Sequence, residues 1–289
     1  MSALQNIYGM PTISMDQYCV MGHPVEHSKS PWIHARFSAL TGQALQYGKR
    51  EIALDGFSAA VHAFIGEGGR GCNITVPFKF EAAALATHTS ERAALAQACN
   101  VLSFAGGAIF ADNTDGAGLV NDIQRNAGLD LCGRHVLLIG AGGAAAGVLG
   151  PLVRARPASV TVANRTLHKA AALVAHHAEL ASLQNTELLA HDLQGLAHNF
   201  DVIINATASS LSGAGVPVAA STLKPGALAY DMMYGPAAQG FMTWAREHGA
   251  VSRDGLGMLV EQAAEAFLIW RGVLPPAQQV LAELRAGMD

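Results

Sequence analysis

The sequence predicts an α/β protein of two domains, the second built on a doubly wound parallel sheet, and three observations predict it. A glycine-rich turn, Gly140-Ala141-Gly142-Gly143-Ala144-Ala145, joins the apolar run Val136 to Ile139 to a helical stretch ending near Val153. Short apolar strand candidates then recur between helical or loop stretches through the second half. Nearly half of the 289 residues precede the turn and carry their own alternation of strand and helix signals, so a separate α/β domain stands in front of it.

In that first half, strand candidates at Gln17 to Met21, Leu45 to Arg50 and Gly71 to Val76 alternate with helical stretches around Pro31 to Leu40 and Asp55 to Ile65. A hairpin closes the expected sheet, with arms Cys99 to Phe104 and Ala108 to Ala111 joined through Gly106-Gly107. Ser28-Lys29-Ser30-Pro31 stands before the first helix, with Ser30 as the expected N-cap and Pro31 at the first helical position. A helix start with two adjacent hydroxyls also suits a carboxylate, and the two readings are compatible.

Asn73-Ile74-Thr75-Val76-Pro77-Phe78-Lys79 sets a lysine just after a buried strand that proline stops. Taken alone, Lys79 reads equally as a surface lysine with its stem on apolar neighbours. Asn113-Thr114-Asp115-Gly116 precedes the helix leading to the second domain, where Asp115 also fits an N-cap. Together, Lys79 and Asp115 supply one amine and one carboxylate at ends of elements on the domain that faces the glycine turn. Alcohol oxidation needs such a pair, because a proton leaves oxygen as hydride leaves carbon.

The glycine turn is the start of a Rossmann dinucleotide unit. Its first glycine makes the tight turn, its second lets backbone approach a pyrophosphate, and a small third residue packs helix on strand; Gly140, Gly142 and Ala145 fill these places. Gly140, Ala141, Gly142, Gly143 and Ala144 are the candidate pyrophosphate contacts, through free N–H groups at the helix start. The next strand, Ser159 to Ala163, ends in Asn164-Arg165-Thr166, where such folds place their ribose-reading residue. Arg165, with Lys169 one turn further, replaces the carboxylate expected of an NAD site, so the expected cofactor is NADP with its 2′-phosphate. Further strands are expected at Asp201 to Ala206, Ala227 to Met232 and Ala250 to Ser252. Ligands of such sheets lie beyond the carboxyl ends of the strands, which sets Thr207 and the segment Tyr230 to Tyr234, Met232 included, beside the nicotinamide.

Composition narrows the remaining classes. Charged residues are 14% of the chain, below the roughly 25% of an average soluble protein, with net charge −4, which argues against nucleic acid as a partner. Val136 to Val153 is an uncharged run of 18, long enough to suggest a membrane span, but five glycines and Pro151 within it favour strand, turn and helix, and no membrane association is expected. The four cysteines, Cys19, Cys72, Cys99 and Cys132, have no CxxC spacing, and the start lacks a charged and apolar leader, so a cytoplasmic location is expected. His23, Glu26 and His27 imitate metal ligands, but Pro24 prevents the helix that would align them, and no metal is expected.

The order and spacing of these motifs, with Asn100 and the late run Asp254-Gly255-Leu256-Gly257-Met258-Leu259-Val260, closely resemble the shikimate dehydrogenase family over nearly the whole chain. The resemblance implies NADPH-dependent reversible reduction of 3-dehydroshikimate to shikimate. It also implies roles: Ser28 and Ser30 for the substrate carboxylate with Tyr234 beside them, Thr75, Asn100 and Gln262 for its hydroxyls, Lys79 with Asp115 as the acid-base dyad, and Gly255 against the nicotinamide. C-terminal helices should return to the first domain, which gives a substrate domain of residues 1–115 plus 255–289 and a Rossmann NADP domain of 116–254; the amphipathic stretch Met258 to Val273 suits that docking. Glu261 departs from the small residue many relatives carry beside the glutamine. Two other readings are a quinate/shikimate dehydrogenase using NAD, against which Arg165 and Lys169 argue, and a non-catalytic NADP-binding regulator, which has no use for Lys79, Asp115 and the serines. The expected partner is a small-molecule substrate, with the chain a monomer or homodimer.

Overall fold

In the computed structural model, residues 15–196, 199–207 and 216–287 are described. The first lobe runs β1 (Asp16–Gly22), α1 (Ser30–Thr41), β2 (Leu45–Glu51), α2 (Phe57–Gly66), β3 (Gly69–Ile74), α3 (Lys79–Leu85), β4 (His88–Thr89), α4 (Glu91–Ala96), β5 (Val101–Ala105) and β6 (Ala108–Asp112). Its six strands lie in the order β2-β1-β3-β5-β6-β4. Helical crossovers make β1 parallel to β2 and β3, whereas the Gly106-Gly107 turn makes β5 and β6 antiparallel. Both glycines have positive φ, 58° and 81°, as a tight hairpin turn requires.

The structure departs from the sequence pattern at the end of β3 and at the start of α1. β3 stops at Ile74 and not Val76, because the chain turns just beyond it, with the Phe78 N–H bonded back to Thr75 O at 3.1 Å. Lys29, not Ser30, holds the N-cap of α1, and no side chain caps the helix. Ser30 and Pro31 occupy the first two helical positions, where a missing N–H is harmless, and Ser30 N–H reaches Ser28 Oγ at 3.3 Å. α3, β4 and α4 carry too few residues for a periodic pattern and were not anticipated.

α5 (Asp115–Asn121) leads out of this lobe and continues as a π-helical turn, Asp122–Asn126. The second lobe then runs β7 (His135–Ile139), α6 (Gly143–Arg154), β8 (Ser159–Ala163), α7 (Leu167–Leu183), β9 (Glu187–His191), β10 (Phe200–Asn205), β11 (Leu223–Asp231), α8 (Gln239–Glu247) and β12 (Val251–Arg253). Its strands are ordered β12-β11-β10-β7-β8-β9 and all run parallel. That is the doubly wound order, with the switch point between β7 and β10. Alternate residues of β7 and β10 serve opposite faces: Val136, Leu138, Val202 and Ile204 join the core under α6, while Leu137, Ile139 and Ile203 join Phe241 of α8. The 18-residue uncharged run is therefore a strand, a turn and a helix, and no helix among the described residues is long and apolar enough to cross a membrane. β9, an edge strand of mixed burial, was not anticipated.

α9 (Leu256–Arg271) and α10 (Ala277–Ala286) pack back on the first lobe. Val260, Phe267 and Val280 share a core with Tyr18, Ile33 and Phe37, and Arg36 makes a two-pronged pair with Glu283 at 2.6 and 2.9 Å. α9 also lies along α5, where Gly118 leaves no space beside Gln262, since a Cβ there would lie 2.7 Å from that of Gln262.

Candidate active site

Lys79 opens α3 after β3 and Asp115 opens α5 after β6, so both side chains hang from first turns beyond the carboxyl ends of two strands that run the same way. Thr114, not Asp115, holds the N-cap position, and the Asp115 carboxylate is used elsewhere. Its Oδ2 accepts from Lys79 Nζ, and its Oδ1 accepts from Asn100 Nδ2 at 2.8 Å. The pair is buried, with side chains 13% and 6% exposed, unlike a solvated surface ion pair. Phe78 is wholly buried in the core of the first lobe, stacked on Phe57, whereas Phe80 is 49% exposed.

A hydrogen-bonded frame fixes this carboxylate. Asn113 Oδ1 accepts from the Asp115 N–H at 3.1 Å while Asn113 Nδ2 donates to Ala98 O at 2.8 Å. Asn100 Oδ1 accepts from Thr114 N–H at 2.8 Å, and Asn100 Nδ2 also lies 3.0 Å from both Thr114 Oγ1 and Gln262 Oε1. Gln262 gives one N–H to Leu259 O at 2.9 Å. Asn73 Nδ2 donates to Asn100 O at 3.2 Å, and its Oδ1 accepts from Tyr47 OH at 2.7 Å. Cys99, whose N–H bonds the Lys79 carbonyl, has its thiol pushed up to about 12 chiefly by burial, so no thiolate stands beside the ammonium.

The remaining substrate candidates lie around the start of α1 and the end of β3. Ser30 is buried, Ser28 and Thr75 are half-buried, and Thr75 approaches so close to β1 that a Cβ on Gly22 would lie 2.2 Å from its methyl. Tyr234 packs against the core shared by α1 and α9, and burial raises its hydroxyl pKa while a hydrogen bond with the Lys29 backbone opposes the rise. It is thereby held at the start of α1, near the two serines. Glu261, the departure noted in sequence, is buried on another side of α9, bonded by Asn126 Nδ2 at 3.1 Å, and does not touch the Asn100 frame. Burial raises its pKa against the pull of that bond.

The second lobe meets the pair through the glycine turn. A Cβ on Gly143 would lie 3.5 Å from both Lys79 Cβ and the Phe80 ring, and one on Gly147 would lie 3.2 Å from Asp115 Oδ2. The turn fits a dinucleotide. Gly140 has φ +114°, Gly142 faces open space, and Ala145 is fully buried in the core under α6. Among the described residues no side chain caps α6, so the N–H groups of Gly143 and Ala144, beyond Ala141, suit a ligand. At the tip of β8, Asn164 Nδ2 bonds Thr166 O at 3.0 Å, while Arg165 and Lys169 are exposed and make no ion pair among the described residues. No acidic residue occurs from 164 to 178 to compete for them.

Thr207 Oγ1 donates to Asn205 Oδ1 at 2.7 Å, and its methyl borders Gly140. Met232 N–H bonds Asn205 O at 3.0 Å, and Gly255 is pressed so close that a Cβ would lie 2.2 Å from Met232 O. Thr207, Met232 and Gly255 thus join the ends of β10, β11 and β12 along one edge. Sequence reasoning missed Tyr47, the framing role of Asn113 and Thr114, and Asp122, whose carboxylate is fully buried under Arg253. An aspartate inside an apolar helical stretch was the available signal for Asp122.

Known proteins resemble this chain in sequence and fold. Residues 20–102 match the family model for the shikimate dehydrogenase substrate binding domain, 122–214 the model for shikimate / quinate 5-dehydrogenase, and 255–285 the model for the shikimate 5′-dehydrogenase C-terminal domain. A shikimate dehydrogenase (NADP+) from Acidovorax sp. strain JS42 is 66% identical over 96% of this chain and 98% of its own. Among solved structures, an Ael1 enzyme from Pseudomonas putida is 46% identical with a TM-score of 0.83, covering 93% of this chain and 98% of that one. Shikimate 5-dehydrogenase from Thermus thermophilus, in complex with NADP(H) and shikimate, is 29% identical with a TM-score of 0.81, covering 94% and 99%. Relatives 63–66% identical over 95–96% of the chain, with family models matching most of its length, place this protein in the shikimate dehydrogenase family.

Proposed function

We propose that this protein catalyses the reversible, NADPH-dependent reduction of 3-dehydroshikimate to shikimate. The observation that carries the reading is the buried Lys79–Asp115 pair lying directly against the glycine turn of the second lobe. Gly140 to Ala144 would hold the pyrophosphate, Arg165 and Lys169 the 2′-phosphate, and Thr207, Met232 and Gly255 the nicotinamide end. Bound NADPH supplies hydride, and NADP+ accepts it in the reverse direction.

Lys79 supplies the proton. In the reducing direction its Nζ protonates the substrate carbonyl oxygen, and in the oxidising direction it takes that proton back from the alcohol. Asp115 keeps the ammonium aimed and balances its charge, and Asn100 keeps Asp115 from rotating. Ser28, Ser30 and Tyr234 bind the ring carboxylate, while Thr75, Asn100 and Gln262 bind ring hydroxyls, so the reacting carbon is presented to the lysine in one orientation. The curated relatives at 60–66% identity are named as NADP+ enzymes, and the cationic tip of β8 agrees with that cofactor over NAD.

Mixing pure protein with shikimate and NADP+ tests the reading: reduced nicotinamide absorbance should appear at neutral to alkaline pH. Quinate with NAD+ should give much slower turnover. Binding of NADPH with no turnover of either acid would favour a non-catalytic regulator.

A further inference from the structure

Asp122 is a fully buried carboxylate that takes no part in the chemistry above. Arg253 grips it with both arms, Nε to Oδ2 at 2.8 Å and Nη2 to Oδ1 at 2.6 Å. Tyr230 OH donates to Oδ2 at 2.7 Å, and Asn126 Nδ2 to Oδ1 at 2.9 Å. Four hydrogen bonds satisfy the charge, so its burial is compensated.

The location of this cluster matters more than its strength. The chain passes between lobes twice, outward along α5 and back from β12 into α9, and Asp122 stands on the outward passage while Arg253 stands on the return. The N-cap residue of α9, Gly255, has no side chain, and Asp254 Oδ1 accepts the Leu256 N–H at a long 3.4 Å. The first turn also rests on this cluster: a Cβ on Gly257 would lie 1.9 Å from Asp122 Oδ1, and the Met258 backbone hydrogen-bonds the Tyr230 hydroxyl. A carboxylate and a hydroxyl from distant segments thus stand at the positive end of α9. Two consequences follow along the chain. Gly255, one residue before the helix, is held against Met232 O; Gln262, two turns into it, is held against Asn100. At the other side, Asp122 lies two turns from Asp115 on the same helical run.

We propose that Asp122 is a positioning residue: through Arg253, Tyr230 and the first turn of α9 it sets the spacing between the Met232–Gly255 edge and the Lys79–Asp115 pair. The inference rests on the proposed dehydrogenase reading, in which that spacing would set the distance between nicotinamide and substrate carbon over which hydride moves. Tyr230→Phe deletes one hydroxyl from the cluster, and Asp122→Asn deletes its charge while keeping its shape. Both variants are compared with the wild type for NADPH sites per chain by fluorescence titration, shikimate KM, kcat per NADPH site, and the isotope effect with deuterated NADPH.

A misplacement well under an ångström should lower kcat per site by roughly 10- to 100-fold and raise the isotope effect, with shikimate KM within about twofold of wild type. A merely structural role would reduce the number of NADPH sites and leave kcat per site unchanged, which overturns the proposal. Should Asp122→Asn fail to fold, Tyr230→Phe decides: wild-type kcat per site in that variant overturns the proposal as well. Absence of shikimate turnover in the wild type would instead overturn the dehydrogenase reading, and the two failures are thereby distinct.

Discussion

Lys79 and Arg165 sit in opposite surroundings, the first largely buried against a carboxylate and the second exposed at a strand end. Lys79 is largely buried against a carboxylate that is itself held by Asn100, so its Nζ is aimed in one direction. Lys79→Ala should lower kcat by roughly 10²- to 10⁴-fold and leave shikimate KM near wild type, the signature of an interaction made in the transition state. Steady-state assays check this, and a variant keeping more than a tenth of the wild-type kcat removes the lysine from the chemistry. Arg165 is the opposite case, an exposed guanidinium without an ion pair among the described residues, at the end of a strand where a ribose would lie. Arg165→Ala should raise KM for NADP+ and leave that for NAD+ nearly unchanged; an unaltered preference between the two cofactors would refute the phosphate role.

At the scale of elements, the contact between α5 and α6 brings the lobes together. Gly116, Gly147 and Pro151 form its seam: a Cβ on Gly116 would lie 2.3 Å from Pro151 Cγ and 2.7 Å from Gly147 O. Pro151 has no N–H to offer the Gly147 carbonyl four residues before it, and that carbonyl faces α5 instead. Even a methyl group at 116 must push the helices apart, and Asp115 is the adjacent residue. Gly116→Ala should therefore cost about 1–3 kcal/mol of stability, the usual scale for overpacking, and lower kcat at the same time. Urea unfolding followed by circular dichroism measures the first effect and turnover the second; unchanged values of both would show that the seam yields freely.

For the whole molecule, His34 links stability to pH. It lies fully buried among Tyr47, Phe37, Phe267 and Trp270, its ring stacked 4.2 Å from that of Tyr47, where α1, β2 and α9 meet. Burial lowers its pKa to about 3, against a smaller opposing effect of Asn73. The unfolded chain takes up this proton near 6.5 and the native chain does not, so the contribution is complete above that pH and is lost as pH falls toward 3. The loss approaches about 1.4 kcal/mol per pH unit within that window. Asp112 acts in the same sense at lower pH: burial raises its pKa, but hydrogen bonds from Arg92 and Ser90 outweigh it and the net shift is downward. Urea midpoints should fall between pH 6.5 and 5 in the wild type and fall less steeply in His34→Phe. Equal slopes would mean that His34 does not carry the dependence.

The sequence by itself determined the type of each lobe, because local patterns suffice for that. Apolar runs of strand length, Gly106-Gly107 at a hairpin and Gly140 to Ala145 at a strand-to-helix turn each act within a few residues, and β8 was legible to its ends. The motifs around Lys79 and Asp115 were legible for the same reason. Tertiary structure alone decided which elements with weak local signals formed, such as β9 and α3, and whether Asp115 served as a cap or as a partner for lysine. It also decided the fate of Asp122, Tyr230 and Arg253, which lie up to 131 positions apart in sequence and meet only because the chain crosses between lobes twice. Hydrogen bonds and apolar burial act over a few ångströms of space, so pairings between distant segments leave no periodic trace in the order of residues.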